Sequence, residues 1–147
     1  MAICSPTFAQ EPPQLVGAWK LLSQQAIVEG EAPQKTFGEQ PKGYLIVIRE
    51  GRVMALFTAD NREGGMGDAE RALLHKSMAA ASGKYRIDGT SIVFTVDGSW
   101  NESWNGTEQR RHFRFEGDKL IVETAPAPSI MHPGKTAVAK LVFEREK

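Results

Sequence analysis

The chain has 147 residues, 41% of them hydrophobic and 24% charged, which suits one globular domain with a core of its own. Eighteen basic residues balance eighteen acidic ones, which excludes a global field that would favour nucleic acid or an anionic membrane, so any polar partner must be recognised locally. The single cysteine, Cys4, excludes an intrachain disulfide.

Residues 1–12 have the pattern of the end of a secretory signal peptide. Small residues and a Thr7-x-Ala9 pattern precede a polar Gln-Glu-Pro-Pro stretch, although the basic start and the full apolar run of such a signal are missing. We interpret this segment as the remnant of a longer export signal, with a disordered tail as the alternative. The first interpretation predicts a periplasmic or secreted protein, and the second a cytoplasmic one.

Residues 13–147 are predicted to form one all-β domain. Apolar residues alternate in eight short runs that turn residues separate, and "DG" at Asp88-Gly89 is typical of a two-residue hairpin. No run reaches the ~18 apolar residues of a membrane-spanning helix, so no integral membrane segment is expected. The eight predicted strands are Val16–Val28, Gly43–Glu50, Arg52–Ala59, Lys84–Asp88, Ser91–Val96, Thr107–Phe115, Lys119–Thr124 and Thr136–Glu144.

One segment between the third and fourth strands breaks the alternation. Asp68 can cap a helix, and Leu74, Met78 and Ala81 follow at helical spacing. The pattern therefore predicts one short helix from Asp68 to Ala81. Eight sequential antiparallel strands remove their exposed edges by closing into an up-and-down barrel, whose interior can hold one small ligand; a sandwich is the alternative.

Several stretches resemble known barrel proteins. "LVGAWKLLS", which contains Gly17-x-Trp19, is similar to the Gly-x-Trp signature of lipocalins, and "GYLIVIREGRV", "GKYRIDG" and "WNGTEQRRHFRFEGDKL" resemble the bacterial lipocalin-like domain family. The resemblance runs from about Leu15 to the C-terminus and implies a lipocalin-like, calycin-type barrel. It also implies that Trp19 closes one end under an arginine, for which strand alternation favours Arg145 in a cation–π contact of ~1 kcal/mol. Ala81 stands where this family often carries an aromatic residue.

An arginine and a glutamine fall on the face of a strand that should point inward. If Phe113 faces the core, the two-residue strand period puts Arg111 and Gln109 on the same side. Unpaired polar groups in a packed core would cost several kcal/mol, so we interpret the two as ligand-binding residues that orient the polar end of a guest. The alternatives are an internal acid or backbone carbonyls as partners of Arg111, and a bulge near Gly106 that reverses the register.

Aromatic residues are predicted to complete the ligand-binding site. Tyr85, Phe94 and Phe113 would form an apolar wall, and Trp100 and Trp104 would lie at the rim of the mouth. The alternatives are a core that these rings fill completely and tryptophans that fold down as a plug.

These features predict binding of a small apolar or amphipathic molecule. The alternative from a different class is a cofactor-independent cyclase or isomerase, in which Arg111 stabilises negative charge and Tyr85, His75 or Glu108 moves a proton. A third is a structural or interaction module with a filled barrel. We expect no cofactor and no nucleic-acid partner. We also expect no metal, because the three histidines lack the paired spacing of metal ligands. Whether the protein forms a homodimer is left open.

Overall fold

The strands close into a barrel. A computed structural model describes residues 14–128 and 133–147, so residues 1–12, with the predicted export signal and Cys4, lie outside the described part of the chain. The strands are β1 Gly17–Val28, β2 Lys42–Ile48, β3 Arg52–Thr58, β4 Met78–Asp88, β5 Ser91–Ser99, β6 Glu108–Glu116, β7 Lys119–Thr124, β8 Ala127–Pro128 and β9 Thr136–Arg145. The helices are α1 Asp68–Lys76 and a single 3-10 turn, Glu102–Trp104.

The topology confirms the predicted eight-stranded, up-and-down antiparallel barrel. Strands β1 to β7 pair in sequential order, β7 pairs with β9, and β9 pairs with β1 to close the sheet. The two-residue β8 only extends the edge of β9. Gly51 and Gly89, in the predicted hairpin turns, have φ values of 89° and 60°, which glycine adopts without steric cost. No helix among the described residues is long and apolar enough to cross a membrane.

The helix is shorter than predicted. It ends at Lys76, and its N-cap is Gly67 rather than Asp68. Met78 and Ala81 belong instead to β4, where they pair with Thr58 and Ala55 of β3. A continuous ladder with β3 on one side, and pairing with β5 from Ala81 onward on the other, supply hydrogen-bond partners for this segment. One more turn of an exposed helix would bury nothing, so tertiary pairing overrides the helical spacing.

One end of the barrel is sealed around Trp19, which is 2% exposed. Its Nε1 donates to the carbonyl of Leu15 at 2.9 Å, and the guanidinium of Arg145 lies 4.3 Å from the ring centroid, which confirms the predicted cation–π contact. Arg145 also donates to the carbonyls of Val16 and Gln14. A Cβ on Gly17 would lie 2.6 Å from Arg145 Nη1, so the glycine of the Gly-x-Trp motif makes room for this arginine.

Candidate functional site

A cavity of about 210 Å³ lies inside the barrel, above the sealed end. The opposite end of the barrel, where α1 and the 3-10 turn connect strands, is called the mouth. Small side chains create this space: Ala55, Ala79, Ala81 and Ala139 all line it. Ala55 and Ala81 are directly opposed on β3 and β4. Alanine at these inward positions leaves a volume that a larger residue would fill. The rest of the apolar lining includes Phe37, Leu45, Phe57, Phe94, Trp104, Phe113, Leu141 and Phe143.

Arg111 projects into this cavity from β6, so the inward register predicted for it is the one observed. Its guanidinium carbon lies 5.8 Å from the ring centroid of Phe94 and 5.7 Å from that of Trp104. An arginine plane within about 6 Å of aromatic rings gains a favourable cation–π interaction. Among the described residues, Arg111 is the only charged side chain that lines the cavity, and two aromatic rings hold it in place.

Gln109 supports the guanidinium from the side. Its Oε1 accepts from both Nη1 and Nη2 of Arg111 at 3.4 Å, and its Nε2 donates to the hydroxyl of Thr107 at 2.8 Å. The Thr107 hydroxyl in turn donates to the carbonyl of Trp104 at 2.6 Å. Gln109 does not line the cavity; it positions Arg111 and links it to the tryptophan on the 3-10 turn.

Arg111 has no acidic partner in residues 14–128 and 133–147. It contacts the Gln109 amide, the Arg110 carbonyl at 3.0 Å and the two rings. The predicted alternative of an internal acid therefore does not hold there, whereas one backbone carbonyl partner is observed. Burial lowers the pKa of this guanidinium because desolvation disfavours its charged form. An arginine nevertheless stays protonated at neutral pH, so a partly desolvated positive charge faces the cavity with no acidic partner among the described residues.

Two further polar residues line the cavity. Gln24 accepts a hydrogen bond from the hydroxyl of Thr36 at 2.5 Å, and Thr124 accepts one from the backbone N–H of Ala139 at 2.9 Å. Simple alternation along β1 could not identify Gln24, because the register shifts between Leu21 and Ser23. That bulge changes which residues face inward beyond it.

The two predicted rim tryptophans have different positions. Trp104 lines the cavity, whereas Trp100 does not. Trp100 packs edge-on against Trp104 with centroids 4.8 Å apart, and its carbonyl lies 3.0 Å from Nε2 of His75 on α1. Arg62 also holds the end of α1, by donating to the Leu74 carbonyl at 2.8 Å. Trp100 thus contacts both Trp104 in the cavity wall and the helix α1, but it does not itself line the cavity.

Tyr85 lies outside the cavity lining. Its hydroxyl donates to the carbonyl of Ile48 at 3.0 Å, and its ring is in the packed core. Of the seven predicted site residues, the structure brings Arg111, Phe94, Phe113 and Trp104 together around the cavity and Gln109 just behind them. Tyr85 and Trp100 are apart from it.

None of the predicted proton-transfer groups, Tyr85, His75 and Glu108, lines the cavity. Glu108 points outward and forms an ion pair with Arg86 at 3.2 Å, and His75 is exposed. The described residues include no group of three His, Cys, Asp or Glu side chains that could hold a metal ion. The site therefore offers a cation, aromatic faces and an apolar wall.

Comparisons with known proteins place the chain in a family. The family model described as a lipocalin-like domain matches residues 16–146. A solved structure of an uncharacterised protein from Bacteroides eggerthii DSM 20697 aligns with a TM-score of 0.44 and 15% sequence identity over 89% of this chain and 98% of that chain. No curated protein matches.

Proposed function

We propose that this chain, which belongs to the lipocalin-like domain family, binds a small amphipathic molecule in its barrel, with an anionic oxygen group of that molecule against Arg111. A lipocalin-like barrel suits ligand binding in general, because eight strands enclose room for one small guest. The observation that carries the proposal is a partly desolvated arginine, without an acidic partner among the described residues, that faces an apolar cavity.

The chemistry of the guest follows from its surroundings. A planar guanidinium binds carboxylates through two parallel hydrogen bonds. Such a carboxylate would supply the counter-ion that Arg111 lacks in the part of the chain that the structure describes. Phe94, Phe113 and the alanines offer no polar group to the rest of the guest. We therefore expect a carboxylate or similar oxyanion joined to an apolar or aromatic body.

The volume limits the size of that body. A cavity of about 210 Å³ is of the same order as the ~150 Å³ apolar cavity that can hold one benzene molecule. A guest enclosed by the barrel therefore has only a short chain or a single ring, and any longer tail must project through the mouth near Trp104.

Calorimetric titration with octanoate and octanol tests the proposal. These probes share an apolar chain and differ in charge, so octanoate should bind at least tenfold more tightly, since hydrogen bonds to a charged group contribute ~1.5–3 kcal/mol. Arg111→Ala should remove this preference. Arg110→Ala is the matched control, because Arg110 lies next in the chain but points outward to Asp88 at 2.8 Å.

Two results would contradict the proposal. One is equal binding of octanoate and octanol by the wild-type protein, and the other is full octanoate affinity in Arg111→Ala. Native mass spectrometry of the protein purified from its own host is an independent test. It would identify the natural guest by mass, and a retained species should carry an acidic group.

We also propose that the protein acts outside the cytoplasm, on the basis of the small-residue pattern before Gln10. Cell fractionation with N-terminal sequencing of the mature chain tests this. Full-length protein confined to the cytoplasm would contradict it and would leave the proposal for the barrel interior intact.

A further inference from the structure

The outer surface of β2 and β3 exposes a cluster of large apolar side chains. These are Tyr44 (38% exposed), Ile46 (43%), Ile48 (40%), Met54 (58%) and Leu56 (52%). The register makes the cluster continuous, because Tyr44 is opposite Leu56 and Ile46 is opposite Met54. We call these five residues the apolar face.

Alternation alone does not explain this face. Outward positions of a barrel strand normally carry polar residues, and a contiguous apolar patch on a soluble domain typically marks an interaction site. Barrel closure does not need these side chains, since the inward residues of the same strands, such as Leu45, Val47 and Val53, already supply the core. The apolar face is therefore free to contact a partner.

Cations surround the apolar face. Lys20, Lys42, Arg49 and Lys84 are exposed around it, and none of the four has an ion pair in the described part of the chain. Lys20 on β1 is opposite Tyr44 of β2, and Lys84 on β4 is opposite Arg52 of β3. The local charge is thus positive although the whole chain has none.

Nearby acidic groups do not cancel this charge. Asp97 is held by Arg52 and by the hydroxyl of Ser82, and Glu144, next to Lys20 in the register, lies 3.8 Å from Lys119. Glu50, in the turn between β2 and β3, and Glu146, whose backbone N–H donates to the carbonyl of Ala18 on β1, are carboxylates near this face that have no ion pair among the described residues. The four cations therefore outnumber the unpaired acids around the apolar face.

We propose that the apolar face docks the protein onto an anionic lipid surface. Apolar side chains that insert at the headgroup boundary, surrounded by lysines and arginines that meet lipid phosphates, are what such a surface binds. Tyrosine is also favoured at that boundary. A lipid surface accepts a convex barrel wall without a matching shape.

The charge pattern argues against a second copy of the chain as the occupant. Two apolar faces pressed together would bring two sets of unpaired cations into one interface, and like charges in contact cost several kcal/mol. An anionic membrane reverses the sign of this interaction. The same cations that would weaken a dimer would strengthen membrane binding.

Vesicle sedimentation tests the proposal with the full chain. Wild-type protein should pellet with vesicles of phosphatidylcholine plus phosphatidylglycerol, much less with phosphatidylcholine alone, and less at high salt. Lys42→Gln with Lys84→Gln should weaken binding about 25-fold, since each basic residue near an anionic surface contributes about fivefold. Arg71→Gln with Lys76→Gln, exposed cations on α1, is the matched control and should bind as wild type does.

A second variant tests the apolar contribution. Ile46→Thr with Met54→Thr removes the centre of the apolar face but keeps residues that strands accept, and it should lower vesicle binding at least tenfold. If this variant fails to fold by circular dichroism, the lysine variant still decides the question.

Three outcomes would overturn the proposal. Wild-type protein could stay in the supernatant with anionic vesicles, or it could bind neutral and anionic vesicles equally. Sedimentation velocity could also show a dimer that Ile46→Thr with Met54→Thr converts to monomer, which would assign the apolar face to a second copy.

Discussion

The two ends of the barrel interior use the same strands in opposite ways. Toward the sealed end β9 contributes Phe143, which is 1% exposed, and β4 contributes Tyr85, whereas toward the mouth the same two strands contribute Ala139, Ala79 and Ala81. One sheet therefore forms a packed base and a hollow upper part. The difference shows that the volume of the inward side chains along each strand, rather than the number of strands, determines where the barrel has room for a ligand.

The largest expected effect compares the two ends directly. Trp19→Ala should destabilise the fold by about 3–5 kcal/mol, because it empties a fully packed site and removes the partner of Arg145. Trp104→Ala is the same change at the hollow end, where the ring already borders empty space, and should cost about 1–2 kcal/mol. Urea unfolding measures both, and equal losses would show that the two ends are packed alike.

Filling the hollow part should abolish ligand binding. Ala81→Phe places a ring in the cavity and should reduce octanoate affinity at least a hundredfold, with little loss of stability because the space is already present. Ala80→Phe is the matched control, since Ala80 is the next residue of β4 and points to the opposite side of the sheet. Calorimetry on both variants checks the prediction, and unchanged octanoate affinity in Ala81→Phe would place the guest elsewhere.

A smaller effect tests the unpaired charge in the hollow part. Gln109→Glu keeps the side-chain shape and gives Arg111 an acid at the position of the present 3.4 Å contact. Octanoate affinity should fall about tenfold, because the new carboxylate competes for the guanidinium, while octanol affinity should change little. Equal loss for both probes would indicate damage to the cavity shape instead.

Much of this arrangement could be predicted from local patterns. Alternation identified eight strands and placed Arg111 inside, and the Gly17-x-Trp19 motif indicated the sealed end. These inferences succeeded because the side-chain period of a strand is two and a closed barrel has one interior. The family resemblance implied an arginine over Trp19, and alternation identified Arg145 as that arginine.

Other features depend on long-range geometry. Alternation says which residues face inward but not how far along the barrel axis they lie, so Tyr85 was grouped with Phe94 although only Phe94 lines the cavity. Strand pairing with β3, rather than helical spacing, determines the start of β4 at Met78. A bulge in β1 placed Gln24 at the cavity. Each case reflects pairing across distant segments.

The smallest expected effect concerns the outer wall, where the two ends should behave alike. Hydrogen bonds from Arg110 lower the pKa of Asp88 near the sealed end, and those from Arg52 and Ser82 lower the pKa of Asp97 nearer the mouth. Because folding lowers both values, the stability these carboxylates contribute is present above their ordinary pKa of 3.8 and is lost as the pH falls through the lowered folded values. Asp88→Asn and Asp97→Asn should therefore each flatten the acid side of the stability profile slightly and equally, as urea unfolding across that pH range would show. A clear inequality between the two variants would mean that the difference between the ends extends from the interior to the surface, and that packing beneath each ion pair controls its contribution.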